Sequence, residues 1–334
     1  NIVTTPASKN LLTFTEEFDN AAWTKSNANA YPFDPAAATY GPEVISNGDF
    51  ATTASWALAA TAPATATIAG GKLTLVSPAG EAASASQAVL TVGKWYKVTG
   101  DVTVRSGTVK VICGGPLEYY FTATQSFTIY AQANGNTSFS LSRQGACDAD
   151  FDNISVREVI GGLIAAPDGT LTGDALVATA GTAAHSINQS GGGSGAPIAF
   201  SVYAKAGTSS FIQLFHGSAS TAYANFNLTT GVVGTVGAGA TASISPAGNG
   251  WYRCSIVFTP GAASASRIAI VSSGTAAYNE SWTAAGTETI FIWGAQLEQA
   301  STATDYTRNN GGVYPPRFDY DPVTLQPRGL LIEE

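Results

Sequence analysis

Apolar and polar residues alternate with a period of two along most of this chain. Residues 72–76 (KLTLV), 94–104 (KWYKVTGDVTV), 108–113 (TVKVIC), 126–133 (SFTIYAQA), 137–142 (TSFSLS) and 152–159 (DNISVREV) form a first group. Residues 198–207 (IAFSVYAKAG), 210–217 (SFIQLFHG), 222–231 (AYANFNLTTG), 250–260 (GWYRCSIVFTP), 266–273 (SRIAIVSS) and 287–298 (TETIFIWGAQLE) form a second. Period two sends successive side chains to opposite faces of a strand, so each run reads as a half-buried strand. Turns of Gly, Asn, Ser and Pro separate the runs, and many short strands at this spacing predict an all-β fold of sandwiches. No long amphipathic helix is legible. Residues 15–23 (TEEFDNAAW) predict a single helical turn, with Thr15 as its cap and acidic residues in its first turn.

The pattern also has seams. Residues 39–50 (TYGPEVISNGDF) start afresh with a Gly-Pro break, a short strand and an Asn-Gly turn, and DNISVREV closes the set they open. The core candidates inside that set are Phe50, Trp56, Leu73, Leu75, Trp95, Val98, Phe127, Ile129, Phe139, Leu141 and Ile154. Residues 10–31 are a beginning without a middle, and 162–306 a middle and end without a beginning. In 162–177 (GLIAAPDGTLTGDALV), the turn Pro167-Asp168-Gly169 joins two strands that lack a first partner. Insertion explains this. The expected order is an arm at 1–9, a discontinuous sandwich from 10–31 plus 161–306, an inserted sandwich at 32–160, and an extended linker at 307–334. Insertion succeeds where a host loop is exposed and the guest's ends lie together. Tandem domains with a ragged N-terminal arm remain the alternative.

Composition narrows the function. Charged residues make up 11% of the chain, against roughly 25% in an ordinary soluble domain. The surface is therefore hydroxyl-rich and nearly neutral, as in secreted and virion-surface proteins. The net charge is −8, and no Lys/Arg cluster exists to neutralise several phosphates, so nucleic acid is not an expected partner. No apolar run approaches the roughly 20 residues of a membrane span, so membrane insertion is not expected either. The chain opens at Asn1 and holds no Met, which reads as a processed chain or a piece of a longer one. Of its three cysteines, Cys113 and Cys147 are a candidate disulfide or two free thiols, and Cys254 alternates into a core.

Catalytic signatures are missing. No pair of carboxylates stands in an acid/base frame, neither His185 nor His216 lies in a triad-like context, and GGGSG (191–195) lacks the Lys and helix of a phosphate loop. Asp148, Asp150 and Asp152 alternate, so they either share a cation or line a solvated edge. Binding fits better, because sugars are held by aromatic rings beside directional polar groups. Trp23, Trp251 and Trp293 read as packing. The first candidate site is the polar stretch 276–286, with Trp282, Tyr278 and Glu280. The second is a strand face. With Phe200, Val202, Ile212, Leu214, Phe226 and Leu228 inward, Tyr203, Lys205, Gln213, Phe215, Tyr223 and Asn225 point outward. They form a ligand face or a packing face. The third is Tyr119 and Tyr120, next to Glu118.

Several blocks resemble known modules. Residues 10–27 (NLLTFTEEFDNAAWTKSN), 164–177, 199–207, 248–259 and 290–299 are similar, in order, to one module of tailed-phage structural proteins, tail fibres and head spikes above all. That module looks like a carbohydrate-binding jelly roll. Residues 42–56 with 150–159 resemble another carbohydrate-binding jelly roll, in which an Asn-Gly-x-Phe opening meets an Asp-Asn closing strand. There a structural calcium often joins the ends. The resemblance makes Asp152 its ligand, while Ala51 stands where an acidic residue often follows. Residues 309–334 resemble a linker between such modules.

Together these imply two jelly-roll β-sandwich domains, the second inserted into an early loop of the first, with no enzymatic activity and no required cofactor. The expected role is a phage virion surface protein, extracellular, that attaches to host surface polysaccharide. Its other partners would be virion proteins and copies of itself, a trimer by resemblance. The rivals are a structural capsid or tail decoration protein and the accessory glycan-binding region of a depolymerase.

Overall fold

The computed structural model describes residues 10–193, 195–217 and 221–311 in full, and the backbone of 317–320 and 327–331. The expected arm at 1–9 lies outside the described residues. The protein is all-β. Its chain divides into two compact units: the described residues up to Pro35 with those from Leu163 onward, and Ala36–Gly162.

The discontinuous unit is a sandwich of two six-stranded antiparallel sheets. One runs in the order Thr24–Ser26, His185–Gly191, Ser264–Ile270, Phe211–His216, Tyr223–Asn227, Val232–Val236. The other runs Ala240–Gly248, Trp251–Phe258, Ile198–Ala206, Thr289–Glu298, Asp174–Ala178, Ala28–Tyr31. The expected inward residues Phe200, Val202, Ile212, Leu214, Phe226 and Leu228 all lie in the core between them, together with Cys254. Tyr31 pairs with Ala175, which brings the two segments of the unit together at its edge.

The expected helical turn at 15–23 does not form. Glu17, Asn20 and Trp23 each donate their amide three residues back, to Phe14, Glu17 and Asn20, as a chain of single turns. Thr15 is not a cap: its carbonyl accepts the Ala295 amide and its hydroxyl meets Tyr306 Oη at 2.7 Å. Tertiary bonds therefore take the groups a helix would have used. Residues beyond 306 also fold back on this unit, since Asn309 binds Thr15 Oγ1 and the Asn10 carbonyl, each at 3.0 Å. Farther on, the backbone of Arg317–Tyr320 pairs antiparallel with that of Pro327–Leu331; the rest of the expected linker beyond residue 311 lies outside the described residues.

The Ala36–Gly162 unit is held by two long strands, Trp95–Cys113 and Ser138–Val159, which pair along most of their length. Register shifts between Arg143 and Cys147, Asp148 and Ala149, and Asp152 and Ser155 bend the pair. Both strands thus serve two layers. One layer adds Gln125–Gln132, Lys72–Ser77, Thr65–Ala69 and Tyr40–Glu43; the other adds Glu118–Phe121, Ala83–Ala88 and Ala57–Ala60. Phe50, Trp56, Leu73, Val98, Leu141 and Phe151 fill the space between. Opening and closing strands touch at Gly48, whose carbonyl accepts the Ile154 amide at 2.8 Å. A Cβ on Gly48 would lie 1.9 Å from the Ile154 oxygen, so only glycine fits that approach. The ends of the unit also meet, through the Ile160 amide on the Thr39 carbonyl at 2.9 Å.

One expectation is corrected here, and one open alternative is decided. Trp95 is half-buried and outside the core, because its neighbour Tyr96 takes the inward position with Val98. Cys113 and Cys147 are free, buried thiols, as is Cys254. Cys113 stands opposite Phe139 and Cys147 opposite Gly107. Gly107 and Cys113 are six positions apart along one strand, roughly 20 Å at the ordinary rise, far beyond disulfide reach.

One buried charge makes a stability prediction. Asp174 is 1% exposed; Oδ2 accepts the Phe18 amide at 3.2 Å, while Oδ1 has no partner. Burial first, then the Asp19 charge, pushes its carboxyl well above the carboxylate range, against the Phe18 amide and Lys25. The folded state therefore holds a proton that the unfolded chain releases near its usual pKa of about 3.9. Stability contributed by this group is present below that value and is lost as pH rises toward the folded pKa. Asp174→Asn keeps the acceptor for Phe18 and removes the charge. Its melting temperature is expected to exceed the parent's at about pH 8 and to fall less with rising pH. A lower melting temperature with an unchanged pH slope contradicts this account.

Candidate functional site

The first two sets of candidate residues converge, yet they seal a surface instead of opening one. Gln213, Phe215, Tyr223 and Asn225 do share the outward face of the sheet containing Phe211–His216 and Tyr223–Asn227. Segment 272–281 lies over that face. Gln213 Nε2 donates to Asn225 Oδ1 at 2.8 Å and to the Ala277 carbonyl at 2.9 Å, and Gln213 Oε1 accepts the Asn279 amide at 2.8 Å. Asn225 Nδ2 donates to the Ala276 carbonyl at 2.7 Å. Tyr278 packs edge-on against Phe215 at 5.0 Å, near Tyr223 at 6.0 Å. Gln213, Asn225 and Phe215 are all 0% exposed. Glu280 is turned to the Ser272 amide and hydroxyl, at 2.8 and 2.7 Å. The amides thus bind the protein's own loop.

Trp282 is a structural residue too. It begins the short strand Trp282–Ala284, paired with Gly181–Ala183. Its indole donates to the Ile270 carbonyl at 3.1 Å, and its half-buried ring packs on the core and on His185. Tyr203 is separated from the rest of its expected face, because Ile198–Ala206 belongs to the opposite sheet. There it packs against Trp293 at 5.3 Å and Tyr306 at 6.2 Å, with the Arg253 guanidinium over its ring.

In the Ala36–Gly162 unit, Tyr120 is 52% exposed and donates to Glu118, which also pairs with Lys110 at 2.6 Å. Tyr119 is half-buried; its hydroxyl donates to the Tyr130 carbonyl at 2.9 Å, and burial first pushes its pKa up to about 12. Asp148 and Asp150 do share a face, but the cation between them is Arg105, which reaches Asp148 Oδ1 at 2.8 Å and both Asp150 oxygens at 2.7 and 2.9 Å. Arg105 foremost, with Thr74, holds the Asp150 carboxyl below its ordinary range against some desolvation, so it stays ionised. Asp152 accepts the Asn153 amide at 2.7 Å. Among the described residues no group of three or more His, Cys, Asp or Glu converges on a metal position, and calcium takes 6–8 oxygens.

The same unit carries a surface that sequence reading passed over. Tyr40, Lys97, Thr99, Ser155 and Arg157 line an open depression of about 220 Å³. Lys97 stands opposite both Arg157 and Tyr130, and Thr99 opposite Ser155. Tyr40 Oη and Tyr130 Oη are 2.9 Å apart, and the Lys97 ammonium sits 4.9 Å from the Tyr40 ring centre. Arg157 Nε is anchored on the Gly41 carbonyl at 2.8 Å. Glu43 approaches from the edge strand, but its carboxylate holds the Ile45 and Val156 amides and the Ser155 hydroxyl. The depression is smaller than the roughly 300–1,000 Å³ of enclosed ligand clefts. An aromatic ring, hydroxyls and cations on an open sheet suit surface binding, and the arrangement holds no carboxylate pair for hydrolysis.

No family model matches the chain, and no curated protein matches it. Among solved structures, the chain is similar to the tandem CBM22-1–CBM22-2 domain of Paenibacillus barcinonensis Xyn10C, at 16% identity over 79% of this chain and 99% of that one, with a TM-score of 0.27. A family 29 carbohydrate-binding module, a point mutant of CBM29-2, aligns at 12% identity over 36% of this chain and 85% of that one, with a TM-score of 0.28. A structure of Sulfolobus Turreted Icosahedral Virus aligns at 13% identity over 73% of this chain and 60% of that one, with a TM-score of 0.21. At such scores the likeness carries no argument about the site.

The covered face of the discontinuous unit predicts a purely structural phenotype. Asn225→Ala strands the Ala276 carbonyl and one Gln213 donor, at a cost of roughly 1–3 kcal/mol. Urea denaturation should read that loss, and hydrogen exchange should quicken at the Asn279 amide. Unchanged stability and protection would show that the loop is not held from beneath.

Proposed function

We propose that this protein binds carbohydrate without transforming it, through the outward face of the Ala36–Gly162 unit. The observation that carries the reading is the depression bounded by Tyr40, Lys97, Thr99, Ser155 and Arg157. An aromatic ring offers apolar contact to a sugar, while hydroxyls, ammonium and guanidinium give direction. The sealing of the other candidate faces by their own loops supports this placement. The low charge content and the resemblance of residues 10–27, 164–177, 199–207, 248–259 and 290–299 to phage fibre and spike modules support a place on a virion surface. There the protein would hold host surface polysaccharide, and display in several copies would raise a weak single-site affinity. A homo-oligomer, a trimer by resemblance, and contacts with other virion proteins belong to this proposal, as does the absence of catalysis.

Binding of the purified chain to bacterial surface polysaccharides, followed by calorimetry, tests the reading. Tyr40→Ala removes the ring and the perch of Lys97, and is expected to weaken binding roughly tenfold. Asn225→Ala, away from this face, is expected to leave affinity unchanged once its stability loss is allowed for. Saturable binding that Tyr40→Ala spares moves the site elsewhere. No binding across a broad panel favours the decoration role. Release of reducing ends from a bound polymer contradicts the non-catalytic reading.

A further inference from the structure

On the carbohydrate-binding reading above, we infer that the depression takes an anionic saccharide, one whose ring bears a carboxylate. Lys97 and Arg157 are direct cross-strand partners. Like charges placed opposite one another on a sheet repel and destabilise it. Most cations of this unit avoid that cost by holding a carboxylate: Lys72 and Arg105 at Asp150, Lys94 at Glu158, Lys110 at Glu118. Lys97 and Arg157 form no ion pair among the described residues, in a chain of net charge −8. The nearby acid, Glu43, stands across from Arg157 but accepts two backbone amides and the Ser155 hydroxyl and forms no ion pair with the guanidinium.

Both cations are also pre-positioned. The Tyr40 ring seats the ammonium, and the bond from Arg157 Nε to Gly41 fixes the guanidinium while leaving its two terminal nitrogens without a described partner. Two parallel N–H donors match the two oxygens of a carboxylate. Thr99 lies beside them with a hydroxyl for the sugar ring, and Ser155 Oγ, which donates to Glu43, is left as an acceptor. A planar anion between Lys97 and Arg157 would offset the repulsion between these two cross-strand partners.

The test uses the full chain and acidic capsular polysaccharides of known repeat, each beside its carboxyl-reduced form, with neutral glucans as a third arm. Binding is expected to the acidic forms, to weaken with added salt, and to vanish on carboxyl reduction. Lys97→Gln and Arg157→Gln are each expected to weaken it roughly tenfold. Lys97→Gln, which removes one of the two facing cations, should preserve or raise the melting temperature of the free protein, and this separates lost recognition from lost folding; Arg157→Gln also gives up its bond to the Gly41 carbonyl, so its affinity is read at a temperature where its own melt shows it folded. Equal binding of native and carboxyl-reduced polymers overturns the anionic assignment and leaves carbohydrate binding standing. Binding lost only when phosphate groups are stripped overturns the carboxylate. No binding in any arm overturns both readings.

Discussion

The pairing of Ala28–Tyr31 with Asp174–Ala178 closes one sheet of the discontinuous unit across an interval that holds an entire second unit. A flexible loop of that length would carry a closure cost that grows with the logarithm of its length. A folded guest whose ends meet removes most of that freedom, and the bond from the Ile160 amide to the Thr39 carbonyl shows that these ends do meet. The host's own ends are drawn together by Tyr31 opposite Ala175 and by the bridge between Ile164 and Gly173. Each unit thus presents a narrow gap to the chain, and each has a buried core of its own.

With both cores closed, only outward faces are open to a partner, and the discontinuous unit covers part of its own. The discontinuous unit lays segment 272–281 over one sheet and fixes it with Gln213 and Asn225, two amides that each serve as donor and acceptor. A buried amide must be satisfied from somewhere; here backbone carbonyls and amides of the loop do so. On the opposite sheet Tyr203, Trp293 and Tyr306 pack on one another. Aromatic content on an outward face is therefore ambiguous by itself. What separates a sugar platform from a packing face is whether the polar groups beside the rings are already satisfied by the chain.

Alternation made the fold class legible and the inward residues of 198–228 with it, since one buried face imposes period two. The grouping of outward residues was not legible, because nothing in a run of strands says which sheet receives each one. Ile198–Ala206 and Phe211–His216 follow one another in sequence and lie in different sheets, so Tyr203 and Gln213 point to opposite sides. The depression on the other unit was within reach of the sequence. In KWYKVTGDV, the odd separation of Trp95 and Val98 places them on opposite faces of a strand, so only one of the two can point inward. Keeping Val98 inward puts Trp95, Lys97 and Thr99 outward together. Arg157 could not have been added to them, because its register against Lys97 is set by the shift between Asp152 and Ser155.

That register shift also sets the electrostatics of the surface. The residues on the near side of it, Asp148 and Asp150, face Arg105 and neutralise it. The residues beyond it, Ser155 and Arg157, face Thr99 and Lys97. One pair of strands therefore presents two electrostatic zones along a single face, one self-compensated and one not. A bulge does this at little cost, because it alters which residues oppose one another without changing the inward set: Ala149 and Phe151 before it and Ile154 and Val156 after it remain in the core. The uncompensated zone is where an oppositely charged partner gains most, and in an acidic protein it is the feature that packing alone does not explain.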